Sequence, residues 1–408
     1  MLGTGDRQTI MPSLGLIGAA GLSLLIWIYL LAFHGGFWRG RERLAHAAAQ
    51  PDSWPSVVAV IPARNEADVI GDALESVLGQ DYPGALYVVL VDDHSDDGTA
   101  AAAWQRAEAL GRADRLTIVE SRPLPAGWAG KVWALSEGVA AIPGLDRDAE
   151  LLWFTDADIA HVPDALHRMT AKARTERLDL VTVMALLSCA GFWERLLIPP
   201  FVFFFQKLYP FAWSNDPKRR TAAGAGGCML LSRAALEEAG GLAAIKGALI
   251  DDCALARAIK AVARNHGRRT WIGLTDSARS IRPYEGLGGI WQMVARTAFT
   301  QLRYSSLLLI GTLAGMVVTY LVAPLVVITA PWHGSLIATI VALATWGLMA
   351  VAAWPTFRLY RQAPWRTALL PLAASLYTAM TLSSALRYWR GQGGTWKGRH
   401  QAQATART

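Results

Sequence analysis

Charge is scarce in this chain: Asp, Glu, Lys and Arg make up 17% of its 408 residues, against 53% hydrophobic. That balance excludes an ordinary soluble domain, while the charge that remains excludes a pure membrane bundle. Cysteine is scarcer still. Cys189, Cys228 and Cys253 form no CxxC pair and are odd in number, which excludes a disulfide scaffold or zinc ribbon and suits reduced thiols facing a cytosol. Acidic residues are missing altogether after Glu285, where ten Lys or Arg occur. The net charge of +7 therefore belongs to the C-terminal part, since residues 1–285 hold 29 basic and 32 acidic side chains. Basicity of that kind marks cytoplasmic placement and anionic headgroups, and it argues against nucleic acid. No GxxxxGK[ST] occurs, which disfavours an ATP-hydrolysing loop. His161 and His266 lack partners at metal-ligand spacing and read as structural. No internal repeat or low-complexity tract is present.

Long uncharged runs, by contrast, are plentiful. Residues 11–33, 305–332, 335–357 and 367–386 carry no charged side chain, and each is near the ~20 residues that cross a bilayer as a helix. The first predicts an N-terminal anchor (1–34) rather than a cleaved signal, because Arg7 alone precedes it and Arg39, Arg41 and Arg43 follow it. A basic linker (35–54), a cytoplasmic domain (55–304), a membrane region (305–390) and a basic tail (391–408) complete the expected division. The positive-inside rule places 34–304 inside, the Pro331–Ser335 turn outside and the loop with Arg358, Arg361 and Arg366 inside. A full fourth span would push the basic tail outside, against that rule; Pro371 near its start permits a re-entrant or surface-lying segment instead.

Between the apolar runs the pattern alternates. Residues 56–61 form a β-branched run ending at Pro62, with a helix predicted from Glu66 to Gly79. Leu86–Val91 predicts a second strand with a helix after Gly98, and Leu151–Thr155 a third with a helix near Pro163–Glu176. Strand–helix alternation implies an α/β fold with a mostly parallel sheet covered on both faces, whose ligands bind at the carboxyl ends of the strands. Residues 191–213 are rich in aromatics and interrupted by Pro199-Pro200, so an interfacial segment or a buried hairpin is expected rather than a straight span. Gly289–Tyr304 is a second amphipathic stretch.

The chemistry-bearing residues follow the strands. Asp156 and Asp158, two apart at a bend, can converge on Mg²⁺ or Mn²⁺ and a ribose, although such Asp pairs also serve as caps and turns. In Asp92-Asp93-His94-Ser95-Asp96-Asp97, the clustered acids repel unless a polar ligand or metal offsets them, with Asp96 and Asp97 better read as helix caps. Arg64 can stack on a base, and Glu66 can accept from a ribose or pair with Arg64. Lys131, at a helix start, and Arg303, at the membrane boundary, can each reach a diphosphate. Asp251-Asp252 opens a helix, where capping explains the pair as well as a general-base role does. A base without a second, nucleophilic carboxylate implies single displacement with inversion. The glycines of 223–229 let a ligand approach the backbone.

Taken in order, PARNE (62–66), VDDHSDDGT (91–99), GKVWAL (130–135), TDAD (155–158), GAGGCMLLSR (224–233), IDDCAL (250–255) and QLRY (301–304) resemble the family-2 glycosyltransferases. The flanking apolar segments make the chain most similar to the hopene-associated, or hopanoid-biosynthesis, branch. The resemblance implies a GT-A fold, a UDP- or GDP-linked sugar donor, a divalent metal and inversion, in a multi-pass bacterial inner-membrane protein. By position it puts Pro62, Arg64 and Glu66 at the nucleotide, Asp93 beside Asp92 at the base or ribose, Asp156 at ribose or metal, and Asp158 at the metal. Asp252 becomes the catalytic base, with Asp251 its neighbour in the family's acidic pair. QLRY departs from the QxxRW of processive synthases and favours a single transfer. The acceptor expected is a hopanoid or another isoprenoid lipid; polyprenyl phosphate, or a non-catalytic membrane protein that senses sugar nucleotides, are the alternatives.

Overall fold

The computed structural model describes residues 4–45, 50–145, 149–391, 395–396 and 399–400. Linker residues 46–49 and most of the expected basic tail lie outside the described residues. Two compact units divide the chain. One comprises Met1–Gly40, Cys189–Pro210 and Tyr284–Gly393; the other Arg41–Ser188, Phe211–Pro283 and the C-terminal residues from Gly394.

The second unit is built on an eight-stranded sheet: β1 (Val57–Ala63), β2 (Leu86–Asp92), β3 (Leu116–Glu120), β4 (Leu151–Thr155), β5 (Ile159–His161), β6 (Leu178–Leu186), β7 (Cys228–Ser232) and β8 (Arg269–Ser280), in the order 3-2-1-4-7-6-8-5. Every residue of β1 is buried, as a strand covered on both faces requires. Its alternate side chains feed two cores. Val57, Ala59 and Ile61 meet the helices Ile70–Leu78, Thr99–Ala109 and Ala165–Thr175. Val58 and Val60 meet Gly130–Ala141 and Asp251–Asn265. Gly138 makes the second contact close: a Cβ there would lie 2.4 Å from Val60 and 2.8 Å from Val91.

The α/β architecture is as the alternation implies, with three differences in detail. The sheet is mixed: β3, β2, β1 and β4 run parallel, but β7 is antiparallel to both β4 and β6, and β5 is antiparallel to β8. Next, β1 continues through Pro62 to Ala63. Beyond Val60 it pairs only with β2. The N–H groups of Val57 and, by alternation, of Ile61 and Ala63 face β2, so the missing Pro62 donor faces the side without a ladder. Finally, the helix predicted from Glu66 starts at Ile70. The preceding N–H groups are held by side chains instead, Glu66 N on Thr99 Oγ1 and Ala67 N on Asp97 Oδ2, both at 2.9 Å, which keeps this loop out of the helix.

In the first unit, four segments are long and apolar enough to cross a membrane: Leu14–Phe33, Ser306–Ile328, Leu336–Leu359 and Pro364–Trp389. The aromatic segment is not broken at its prolines. Phe192–Leu208 is one helix with Pro199 and Pro200 buried inside it, and Tyr377 Oη donates to the neighbouring Leu197 carbonyl at 2.8 Å. Such partners are what allow proline within an apolar bundle. Pro371 does not interrupt the last segment either, because it sits in the first turn of Leu370–Trp389, where an N–H has no intrahelical acceptor. The second segment contains a π turn, Val317–Leu321, just before Pro324, and the freed Thr319 carbonyl accepts from Trp27 Nε1 at 2.7 Å.

His161, on β5, is buried against Trp153 and lies 2.8 Å from Thr155 Oγ1. Thr155 spends its hydrogen on the Gly227 carbonyl, so Nε2 carries the imidazole proton and Nδ1, which has no partner among the described residues, is the basic atom. Burial pushes the imidazole down to about 3. The unfolded chain protonates near 6.5, so this residue withdraws stability as pH falls from about 6.5 toward 3 and contributes nothing above that window. Between pH 6 and 5 the native chain should lose about 1 kcal/mol more than His161→Gln. Equal shifts of the thermal midpoint in both proteins would exclude a buried neutral imidazole.

Candidate active site

The carboxyl ends of β1, β2 and β4 and the start of the helix Asp251–Asn265 bring the seven acids of the predicted set, Glu66, Asp92, Asp93, Asp156, Asp158, Asp251 and Asp252, to one edge of the sheet. Lys131, in the first turn of Gly130–Ala141, reaches among them: its Nζ is 2.5 Å from Asp156 Oδ1 and 3.9 Å from Asp251 Oδ2. Asp252 is held from the other side by backbone. Its Oδ2 accepts from Gly226 N at 3.1 Å and its Oδ1 from Cys253 N at 2.7 Å. The glycine run has a steric reason here. A Cβ on Gly224 would lie 2.5 Å from the Asp252 carbonyl, and one on Gly226 3.1 Å from Lys131 Nζ. A narrow recess between Pro62, Leu135, Phe154, Met229 and Leu255 opens onto these groups.

Negative charge is in excess. Burial raises the Asp156 carboxyl above the usual range; Lys131 opposes the rise while Asp158 and Asp251 add to it. Asp158 is raised by burial and by Glu66, against Arg282 and Lys131. Burial and the Asp251 carboxylate push Asp252 up to about 6, within the range that suits a general base near neutral pH. Burial works against the charge of Lys131, yet Asp156, Asp251 and Asp252 outweigh it and its pKa rises. Among the described residues no three His, Cys, Asp or Glu side chains form a metal cage. Mg²⁺ and Mn²⁺ on a substrate diphosphate require only one or two protein carboxylates. Asp156 and Asp158, two carboxylates at the carboxyl end of β4 with Asp251 and Glu66 close by, fit that role.

The other predicted residues divide. Asp93 is fully buried, accepts from Ser121 Oγ at 2.8 Å and lies 3.9 Å from Arg64. Arg64 donates to the Asp93 carbonyl, and to that of His94 at 3.3 Å. It therefore ties down the turn after β2. Asp92 Oδ1 accepts from Ser95 N and Oγ at 3.1 and 2.5 Å. Asp97 accepts from Thr99 N at 3.0 Å, although the N-cap position of the helix Thr99–Ala109 falls to Gly98. Glu66 pairs with Arg282, which also holds Asp68 at 3.1 Å. Arg282 and Ser280, whose Oγ lies 3.5 Å from Asp158 Oδ2, escaped the sequence reading. Both lie more than a hundred residues beyond Asp158, and no local pattern marks them. Arg303 belongs to the other unit, in the turn after the helix Gly286–Gln301, with φ +52. His266 pairs with Glu238 at 2.8 Å.

Residues 55–297 match the model of the glycosyltransferase like family 2, and the chain belongs to that family. Its fold is similar to that of the mannosyltransferase from Pyrobaculum calidifontis, solved with GDP-Man and Mn²⁺, at 20% identity and a TM-score of 0.51, over 93% of this chain and 98% of that one. The α/β sheet is thus a GT-A-type domain. More distant are the glucosyl-3-phosphoglycerate synthase of Mycobacterium tuberculosis (19% identity, TM-score 0.40, 61% and 79% covered) and the mannosyl-3-phosphoglycerate synthase of Rubrobacter xylanophilus (16%, 0.37, 61% and 74%). No curated protein sequence matches at a significant level.

The Arg282 bridge is uneven, since its side of Glu66 is 11% exposed and its side of Asp68 66% exposed. Arg282→Ala should cost about 1–3 kcal/mol by removing the cation paired with the Glu66 carboxylate, whereas Asp68→Ala should cost no more than about 1 kcal/mol. Denaturant unfolding of the two variants checks this ranking.

Proposed function

We propose that the protein transfers a sugar, with inversion, from a UDP- or GDP-linked donor to a hopanoid or other isoprenoid lipid. The observation that carries this reading is the meeting of Lys131, Asp156, Asp251 and Asp252, with Asp158 beside them, at the edge where a GT-A sheet binds its donor. The GDP-Man and Mn²⁺ bound by the Pyrobaculum mannosyltransferase support a nucleotide-sugar and a divalent metal. Four membrane-length apolar segments in the same chain support a lipid acceptor. Arg39, Arg41 and Arg43 after the first apolar segment, and Arg358, Arg361 and Arg366 around the turn between the last two, support a catalytic domain on the cytoplasmic side.

Pro62, Arg64, Glu66, Asp92 and Asp93 are assigned to the nucleotide side of the site, Arg64 also holding the turn that carries Asp93. Lys131 stands where it can pass from Asp156 to the donor diphosphate. Asp156 and Asp158 would hold Mg²⁺ or Mn²⁺, which when bound neutralises charge on the departing nucleoside diphosphate. Asp252 takes the proton of the acceptor hydroxyl as its oxygen attacks the anomeric carbon. The bond to the diphosphate breaks on the opposite face, the electron pair leaves with the nucleotide, and one displacement inverts the centre. No second carboxylate acts as nucleophile. Backbone donors fix the Asp252 carboxylate, which removes the orientational cost of proton transfer.

Asp252→Asn should keep donor and metal binding within about threefold and lower kcat by at least roughly a hundredfold, the loss of a positioned base; equal loss of binding and turnover would sink the assignment. For Asp158→Ala, metal-dependent donor binding should disappear, and unchanged metal dependence would place the metal elsewhere. Purified protein in lipid, given UDP- and GDP-sugars with hopanoid or polyprenyl-phosphate acceptors, decides the acceptor. Transfer to polyprenyl phosphate alone would replace the proposed lipid, and donor binding without transfer to any acceptor would favour a sensor.

A further inference from the structure

In the sheet order 3-2-1-4-7-6-8-5, the chain steps one way from β1 to β2 and β3 and the other way to β4. β1 and β4 therefore flank the point of reversal, where open α/β sheets take their ligands. The two strands come apart there. Their ladder ends at the pair Val60 and Phe154, although β1 runs on to Ala63 and β4 to Thr155. The recess lined by Pro62, Phe154 and Asp156 opens in that gap. On one side stands the loop after β1, which carries Glu66 and Asp68; on the other, the turn with Asp156 and Asp158. The first loop is fixed from its far side, by Thr99 Oγ1 on Glu66 N and Asp97 Oδ2 on Ala67 N. The turn is fixed to β8, by Ile281 N on the Asp158 carbonyl at 2.9 Å and by the pairing of Ile159 with Ser280. One residue past Ile281, a side chain spans the gap. Arg282 reaches back to the first loop, where Nη2 donates to Glu66 and, at 3.1 Å, to Asp68, and Nη1 donates to Asp68 at 3.2 Å.

We propose, on the reading of this edge as a sugar-nucleotide site, that Arg282 is a positioning residue: it holds the nucleotide-side carboxylate of Glu66 at a fixed distance from the metal-side carboxylate of Asp158. Since β1 and β4 share no ladder beyond Val60, this side chain sets the spacing where the ladder does not. A planar guanidinium suits the task, because its donors leave in fixed directions and hold two carboxylates in place at once. An ammonium on a flexible stem fixes neither. Glu66 is buried and Arg282 half-buried, so their pair escapes most solvent screening, whereas exposed Asp68 adds little. Arg282 is also close enough to Asp158 to oppose the rise in its proton affinity. A nucleoside diphosphate that meets both acids' sides of the gap gains from a spacing set in advance, which removes the cost of arranging them on binding. Arg282 touches no reacting atom in this scheme. It acts through Glu66 and the Asp158 turn, so its loss falls on donor affinity and not on proton transfer at Asp252.

The test is isothermal titration of UDP and of GDP into the full-length protein in detergent, with Mn²⁺ present. Wild type should bind at least one of the two. Arg282→Ala should weaken that nucleotide about tenfold, and Arg282→Lys, which keeps the charge but not the fork, severalfold. Glu66→Gln should weaken it too. In a Glu66→Gln background, Arg282→Ala should cost less than about twofold more, because the two residues act as one unit. An arginine that serves only the stability of the domain would cost the same factor in both backgrounds. In turnover, the donor KM of Arg282→Ala should rise about tenfold with kcat within about threefold of wild type. Should Arg282→Ala not fold, Arg282→Lys in the two backgrounds decides. Unchanged nucleotide affinity in the folded Arg282 variants, or equal losses in the two backgrounds, overturns the positioning role and leaves the donor site standing. Binding of neither nucleotide by wild type removes the donor reading and this role with it.

Discussion

Carboxylates gathered at one edge of a sheet repel one another, and in this chain the ion pair of Lys131 with Asp156 is what makes the gathering tolerable. Lys131 stands on a helix pressed against β1 and β2 by Gly138, so its ammonium is delivered to the end of β4 by packing and not by flexibility. Asp251 and Asp252 then complete the group from the first turn of another helix, where the backbone dipole favours negative charge. The balance remains incomplete. Burial raises the proton affinities of Asp156, Asp158 and Asp252, and neighbouring carboxylates add to the rise.

The same constraint explains the glycines. Gly224 and Gly226 lie against Asp252 so closely that a side chain at either would displace it. The residue taken as the base is fixed by main-chain donors rather than by another titrating group. Arg282 answers the repulsion on the other flank, joining the loops after β1 and β8 around Asp158. Its partners lie beyond 200 residues away in the chain, so the site closes only when the domain has folded.

The membrane-length unit inverts this arrangement. There cations outnumber acids, and Lys207 is left, among the described residues, with aromatic rings and a phenol in place of a counter-ion.

Much of the site was legible because its residues obey local rules: each acid follows a β-branched run or opens a helix, and the four apolar runs are visible by length. Tertiary contacts decided the rest. Which residue neutralises Glu66, whether β7 runs antiparallel, and how a helix passes through Pro199 and Pro200 depend on groups distant in the chain. Local propensity could not choose among them. A sequence on its own determines where strands, turns and charges fall, because those depend on neighbouring residues. The pairing of buried charges is decided by geometry across the folded chain, where burial makes each unpaired group costly enough to select its partner.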